Sequence, residues 1–309
     1  MYPIINTFEE HKSNWIEIGQ VKKLQVYPLT SCHPINAKEI MIGYNGITFN
    51  ENLWDEMFVI YNNTSKCVYN NNATYLSKIT VKYVENDKLE LSKFELKLTL
   101  NLNKIQQNEQ VICTQLINSK YIRKKMYYDC GDGAADWLDQ YLKNTSENYC
   151  PKNVRLGFSH PLAITLKLED YIQWLYMPEY DEIKRQNLPI SPSCKVMSQE
   201  SFLEVKKNLK DYIEMSDFSP NIIITTKIPF KEDEMDLFKI GDSVIKTIRP
   251  RLKSRNEAIF HVPTDMRVHL LSLHCETFIP GIVKVADKVY TAYPDEVLRN
   301  KWSSTGNSI

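Results

Sequence analysis

The sequence lacks the short motifs that mark several large enzyme classes. It contains no GxSxG nucleophile elbow, no GxxxxGK[ST] phosphate loop, no HExxH metal motif and no GxGxxG dinucleotide turn. Its six histidines are scattered, and His269 and His274 do not have the spacing of a metal site. We therefore interpret the histidines as structural or exposed, and no common catalytic class is indicated.

The sequence also lacks an excess of charge of either sign. Lysines and arginines together number 38, and so do aspartates and glutamates. No protein-wide positive field is therefore available to attract nucleic acid or a membrane surface, and only local clusters could bind anions. With 43% hydrophobic residues among 309, the composition is that of a soluble globular protein with one large or two ordinary domains.

Signs of secretion and of membrane insertion are missing as well. The N-terminus has no apolar signal-peptide core, and no apolar run reaches the length that spans a bilayer. The cysteine count is odd and no CxxC pair occurs, which indicates reduced thiols rather than a disulfide framework. We predict a soluble cytoplasmic protein. Its seven cysteines are Cys32, Cys67, Cys113, Cys130, Cys150, Cys194 and Cys275.

Short β-type segments dominate what is present. Residues 79–83 and 94–100 alternate apolar and polar side chains, as half-buried strands do. Many short strands at this spacing predict a barrel or a sandwich. Further strand candidates are residues 21–27, 57–61, 221–226, 237–240, 282–285 and 288–292.

Two helices are predicted among these strands. In residues 132–142, Ala134, Leu138 and Tyr141 fall on one apolar face. The second helix begins after Ser198, which can cap its N-terminus.

The most basic stretch is residues 244–262, where Arg249, Arg251, Lys253 and Arg255 stand between two apolar β-type runs. A proline among them disfavours a continuous central strand. We therefore predict a strand, a basic turn and a strand. Such a turn is either solvated or faces an anion such as a phosphate, and the residues alone leave both interpretations open.

Two thiols also allow two interpretations. Cys32 follows a strand, and Cys130 precedes the predicted helix at residues 132–142. Each is either a buried, inert side chain or a thiol with thiolate character, which the helix dipole would favour at Cys130.

Four segments, taken in order, resemble the MOSC-domain family. They are residues 21–32, similar to the strand and YP-[VI]-K-S-C turn; residues 129–138, similar to the DCGxxAAxWL helix start; residues 218–223, similar to the FRPNI[IV] strand; and residues 280–289, similar to the closing GxIxVGDxV. The match covers about residues 19–294. Within the family, the chain resembles the mitochondrial amidoxime-reducing component and the C-terminal part of molybdenum cofactor sulfurase.

The resemblance implies a mainly β (α+β) fold. Residues 19–143 would form a MOSC N-terminal β-barrel-like domain, and residues 190–294 would form the C-terminal MOSC β-barrel with a few helices. Residues 144–189 would connect them, after a polar lead-in at residues 1–18 and before a tail at residues 295–309.

The resemblance also implies molybdenum cofactor, a pterin whose phosphate attracts cations and helix N-termini and whose metal takes a soft thiolate. Amidoxime-reducing members reduce N-hydroxylated compounds with electrons from a b-type cytochrome and its reductase, at the periphery of the mitochondrial outer membrane. The family is further associated with pyridoxal phosphate. The implied ligand is thus a small molecule or a pterin.

Carried over by position, the cofactor-binding residues would be Thr30, Ser31, Cys32, Ser198, Asn221, Arg249, Arg251, Lys253 and Arg255. Four positions of the site depart from the family. Thr30 replaces its lysine, Glu56 and Ser219 replace arginines, and Ser254 stands at the catalytic position of the metal-ligand cysteine. A serine hydroxyl is a poor exchange for a thiolate.

Three functions are compatible with this sequence. The first is an active molybdenum oxidoreductase with an altered ligand, and the second is a pseudoenzyme that serves as a binding or regulatory protein and retains pterin or anion binding. The third is sulfur transfer through Cys32 or Cys130. The four departures favour the pseudoenzyme. We expect its pocket between the two domains, where Ser31, Ser198, Asn221 and Ser254 would converge.

Overall fold

A computed structural model describes most of the chain in eleven segments. They are residues 15–30, 32–44, 46–50, 52–69, 76–117, 121–144, 152–159, 193–208, 213–235, 237–247 and 272–292.

Within these segments the chain forms nineteen strands. They are β1 (Ile16–Val26), β2 (Ile35–Ala37), β3 (Glu39–Gly43), β4 (Gly46–Asn50), β5 (Leu53–Trp54), β6 (Phe58–Asn62), β7 (Thr80–Tyr83), β8 (Lys88–Lys93), β9 (Leu96–Asn101), β10 (Gln110–Ile117), β11 (Tyr121–Asp129), β12 (Val154–Phe158), β13 (Cys194–Ser198), β14 (Ile222–Thr226), β15 (Leu237–Ile240), β16 (Ser243–Thr247), β17 (Leu273–Ile279), β18 (Gly281–Lys284) and β19 (Lys288–Ala292).

The same segments contain three α-helices, α1 (Leu102–Ile105), α2 (Asp132–Lys143) and α3 (Gln199–Asn208). Short 3₁₀ turns occur at Leu76–Lys78, Met215–Phe218 and Lys231–Glu234. The prediction of a mainly β fold with a few helices is therefore confirmed.

Seven strands close into a barrel. Their order is β14-β13-β17-β16-β15-β19-β1, and β1 pairs in turn with β14. The apolar side chains of these strands, among them Leu24, Ile222 and Phe238, are buried in one cluster. β1 buries Val21 and Leu24 and exposes Lys22 and Lys23 between them, where its pairing with β14 shifts register.

Gly19 is required where β1 meets β14. A Cβ atom at this position would lie 1.7 Å from the carbonyl oxygen of Thr225, so the two backbones could not approach as they do. The pairing of β1 with β19 shifts register between Glu17 and Gly19.

The strand pairing crosses the domain boundaries that the sequence predicts. β1 joins the barrel of the later strands, and β18 pairs with β3 in a separate four-stranded sheet, so distant parts of the chain share sheets. The predicted bounds stay a prediction. β1 begins inside the predicted lead-in, and β12 lies inside the predicted connection at residues 144–189.

β12 is a strand because of its partners. It pairs with β6 over five residues and with the end of β11, and the sheet order is β10-β11-β12-β6. Two isolated bridges, Tyr61–Val68 and Cys67–Thr114, connect β6 to β10 through residues 67–68. These five segments form a closed ring, which we call the small ring.

The small ring buries apolar side chains in its interior and on one outer side. Val59, Tyr127 and Cys113 are buried inside it, whereas the alternate residues Phe58 and Phe158 face the largest core cluster. Helix α2 packs on that outer side and buries the face that the sequence predicts. The helix begins at Asp132, after the N-cap residue Gly131, whose φ of +90° suits glycine.

Candidate functional site

Among the described residues of the predicted site, Asn221 bonds to a carboxyl group in the turn between β5 and β6, which consists of Asp55 and Glu56. Asp55 Oδ1 accepts hydrogen bonds from the backbone N–H of Tyr27, at 2.7 Å, and from Asn221 Nδ2, at 2.9 Å. It thereby connects the end of β1 with the residue that precedes β14. We call Tyr27, Asp55, Glu56, Lys195 and Asn221 the junction.

Asn221 is buried and its amide is fully engaged. Its Nδ2 donates to Asp55 and also lies 3.3 Å from the carbonyl oxygen of Gln25, and its Oδ1 accepts from the N–H of Lys195 at 2.9 Å. A buried amide with all of these bonds holds β1, β13 and β14 together. Asn221 therefore acts as a structural joint, and its side chain is not presented to a ligand.

The pKa of the Asp55 carboxyl group is raised by its surroundings. Burial and then the neighbouring charge of Glu56 raise its pKa from the ordinary value to about 7. The hydrogen bonds from Tyr27 and Asn221 and the charge of Lys195 act in the opposite direction, but they do not outweigh the first two effects.

Glu56 brings a second negative charge to the junction. Its backbone is left-handed, with φ of +53°, and its N–H donates to the carbonyl oxygen of Tyr27. Its Oε1 lies 3.9 Å from Lys195 Nζ, and both side chains are partly exposed. Lys195 thus faces two carboxyl groups, Glu56 and Asp55.

The two thiols singled out from the sequence are both buried. Cys32 is packed in the largest core cluster, and burial raises its pKa to about 12. Burial likewise raises the pKa of Cys130 well above its usual range, and Asp129 adds to the effect. The thiolate that a helix dipole could favour at Cys130 is therefore not supported, because desolvation outweighs the dipole.

Ser198 and Asn221 do not converge. Ser198 stands opposite Ile224 in the β13–β14 register, whereas Asn221 bonds Lys195, three residues earlier on β13. At about 3.3 Å per strand residue, the two lie about 10 Å apart along the strand. The hydroxyl of Ser198 is engaged locally, 2.8 Å from Thr226 Oγ1 and 3.2 Å from Glu200 Oε2.

Ser198 does have the capping role that the sequence predicts, because the N–H of Ser201 donates to its Oγ. Thr30 lies half-buried in the turn after β1. The remaining predicted site residues, Ser31, Arg249, Arg251, Lys253, Ser254 and Arg255, lie outside the described residues, so the part of Ser31 and Ser254 in the predicted pocket stays a prediction.

The described part of the site does not fit molybdenum cofactor. Lys195 lies at ion-pair distance from the carboxyl group of Glu56. The side-chain amide of Asn221 is already hydrogen-bonded within the fold. The nearby thiol of Cys32 is buried and neutral. In the described segments no three His, Cys, Asp or Glu side chains stand close enough together to hold a metal ion. A phosphate would meet the carboxyl groups of Asp55 and Glu56 here.

The link between Asp55 and Asn221 was not predicted from the sequence. The two residues are 166 positions apart, and no local sequence motif contains both of them. The one available signal was the resemblance itself, which carries an aspartate at the start of the β6 strand and an asparagine before β14.

Comparison with known proteins agrees with this fold. Residues 18–145 match the family model of the MOSC N-terminal beta barrel domain. The chain is 21% identical over 241 residues to mitochondrial amidoxime reducing component 2 of Bos taurus, which covers 75% of this chain and 64% of that protein. It is 24% identical over 301 residues to mitochondrial amidoxime-reducing component 1 of Homo sapiens, which covers 89% of this chain and 83% of that protein.

The match thus spans somewhat less than two thirds of the bovine relative. None of the described helices is long and apolar enough to cross a membrane. The resemblance that the sequence motifs indicate is confirmed: residues 18–145 are similar to the MOSC N-terminal beta barrel domain, and most of the chain is similar to the mitochondrial amidoxime-reducing components.

Proposed function

We propose that this chain is a MOSC-domain pseudoenzyme, which keeps the fold of the amidoxime-reducing components and acts as a binding or regulatory protein. The observation that carries the proposal is the position of Lys195, which faces Glu56 at 3.9 Å and also interacts with Asp55. A phosphate-bearing pterin needs an excess of cations, and the junction supplies one cation against two carboxyl groups.

A second candidate function is reduction of N-hydroxylated compounds, with molybdenum cofactor and a b-type cytochrome as electron donor. The similarity to the amidoxime-reducing components over most of the chain favours it. The names of these relatives also favour a mitochondrial location over the cytoplasm. This candidate requires that Ser254 or a distant cysteine replace the missing ligand.

Elemental analysis of the chain, purified from a host that makes molybdenum cofactor, separates the two candidates. We expect far less than one molybdenum atom per chain in the wild-type protein. A stoichiometric amount would overturn the pseudoenzyme and would justify an assay with an amidoxime substrate.

Two substitutions sharpen this test. If the departures at the site caused the loss, Ser254→Cys combined with Glu56→Arg should raise the molybdenum content above that of the wild type. Ser254→Cys combined with Glu85→Arg is the matched control, because Glu85 is exposed in a turn away from the junction. If neither double variant contains molybdenum, the active candidate fails.

A further inference from the structure

The small ring opens at one end into a cleft of about 410 Å³. Its wall consists of residues from β6, β10, β11 and β12, from the turns at residues 63–66 and 108–109 and from the start of α2, with Tyr61, Asp129 and Arg155 at its base. The mouths of β-barrels are common ligand sites, and a volume of this size suits a small molecule. None of the junction residues lines this cleft.

The base of the cleft is a connected polar network. The Asp129 carboxylate accepts from Arg155 Nε and Nη2, each at 2.6 Å, from the N–H of Gly131 at 2.7 Å, and from the hydroxyl of Tyr61. Burial raises the pKa of Asp129, but the bonds from Arg155, Tyr61 and Gly131 outweigh it and hold the pKa below its usual range. The base therefore carries a fixed, ionised pair.

Several charged groups around this base have bonding capacity left. Arg155 Nη1 pairs with Asp132 Oδ1 at 2.9 Å, and the guanidinium still has two N–H groups without an acceptor in the described segments. Lys66 Nζ donates to Asn63 Oδ1 at 2.9 Å, which leaves two further protons. The carboxylate of Glu109 is exposed and forms no ion pair with any described residue.

The remaining charges have opposite signs. The charge of Asp129 already neutralises that of Arg155. The charges that remain are the ammonium group of Lys66 and the carboxylates of Glu109 and Asp132. A simple anion would be attracted by Lys66 but repelled by both carboxylates, and a simple cation would be repelled by Lys66. A ligand that carries both charges avoids either repulsion.

We propose that this cleft binds a small zwitterion of amino-acid or dipeptide size, whose carboxylate contacts Lys66 and whose ammonium group contacts Glu109 and Asp132. This site is separate from the junction, and the proposal does not depend on whether the chain holds molybdenum cofactor.

A titration of the ¹⁵N-labelled chain with glycylglycine tests the proposal. The amide signals of Gly131 and Asn63 should shift saturably, with a Kd of about 1 mM for so small a ligand. Acetate and ethylammonium, which each carry one of the two charges, should bind at least about tenfold more weakly. Binding of acetate as tight as that of the dipeptide, or no saturable shift, overturns the proposal.

Two substitutions test the predicted contacts. Lys66→Met and Glu109→Gln should each raise the Kd for glycylglycine at least about tenfold, which is the loss of one charge contact. Lys82→Met and Glu85→Gln are matched controls, because Lys82 lies exposed on β7 and Glu85 lies exposed in the turn after it. Both control variants should leave the Kd unchanged.

Thermal melts of all four variants show whether they fold. An unchanged Kd in a folded Lys66→Met or Glu109→Gln variant overturns the proposed ligand contacts.

Discussion

The carboxyl groups of Asp55 and Asp129 are both shielded from water at least in part, and their pKa values are shifted in opposite directions. Burial raises the pKa in each case. Asp129 has a guanidinium bound to both of its oxygens, whereas Asp55 has neutral donors, a more distant lysine and a glutamate beside it. The comparison shows that the charge of the nearest partner decides the direction of the shift.

The largest effect is expected from removing the cation at Asp129. Arg155→Met should lower the free energy of unfolding by about 3 kcal/mol, because it leaves the buried carboxylate without its partner. Urea denaturation measures the loss. Arg155→Lys keeps the charge but not the two parallel bonds, and it should lose less. A loss below about 1 kcal/mol in Arg155→Met would show that the pair is weakly coupled to folding.

A loss of about 2 kcal/mol is expected at the junction from Asn221→Ala. The variant leaves the N–H of Lys195 without its acceptor and removes one donor to Asp55, and each unsatisfied buried group costs about 1–3 kcal/mol. Asn103→Ala is the control, since Asn103 is an exposed residue bonded to Asp87. If both variants unfold at the same urea concentration, Asn221 is not a joint of the fold.

The dependence of stability on pH should distinguish the two aspartates. The pKa of Asp55 is raised above its unfolded value, so its contribution to stability is largest below about pH 4 and falls as the pH rises to about 7. The pKa of Asp129 is lowered, so its contribution is lost only as the pH falls below the unfolded value near 4.

Asp55→Asn keeps an oxygen acceptor but cannot ionise. Between about pH 5 and about pH 8 its stability relative to the wild type should therefore rise, by about 1–2 kcal/mol after allowance for the partial exposure of Asp55. Urea denaturation across this range provides the measurement. Asp129→Asn should show no such trend, and a flat profile for Asp55→Asn would contradict a raised pKa.

The smallest effect on stability is expected from Glu56→Gln. It removes the charge beside Asp55 and should lower the pKa of Asp55 towards the ordinary value, with a change in stability below about 1 kcal/mol at this partly exposed site. A carboxyl ¹³C titration of Asp55 measures the shift. Glu85→Gln, in an exposed turn, should leave the pKa of Asp55 unchanged.

Local sequence patterns predicted the elements whose form depends on their own residues. Helix α2 and the strands β7 and β9 follow apolar periodicity, β14 is a run of β-branched residues, and the structure contains all four. β12 was missed because its five residues lie in an irregular context and become a strand through β6 and β11. Long-range pairing of this kind leaves a weak local signal.

The site was predicted less well than the fold. Motif resemblance named Asn221 and Ser198 but not the offset of about 10 Å that the β13–β14 register puts between them. The bonds from Tyr61 and Arg155 to Asp129 join residues 68 and 26 positions apart, and they depend on closure of the small ring. Contacts across such separations arise from the tertiary fold.

The closure of the seven-strand barrel by β1 has a consequence for the timing of folding during synthesis. β1 pairs with β14 and β19, and Lys288 of β19 bonds Glu17 across 271 positions of sequence. The ribosome therefore releases β1 long before either partner exists, and the barrel can close only after residue 292 has emerged. Pairing between such distant parts of the chain raises the contact order of the barrel, and a high contact order slows folding.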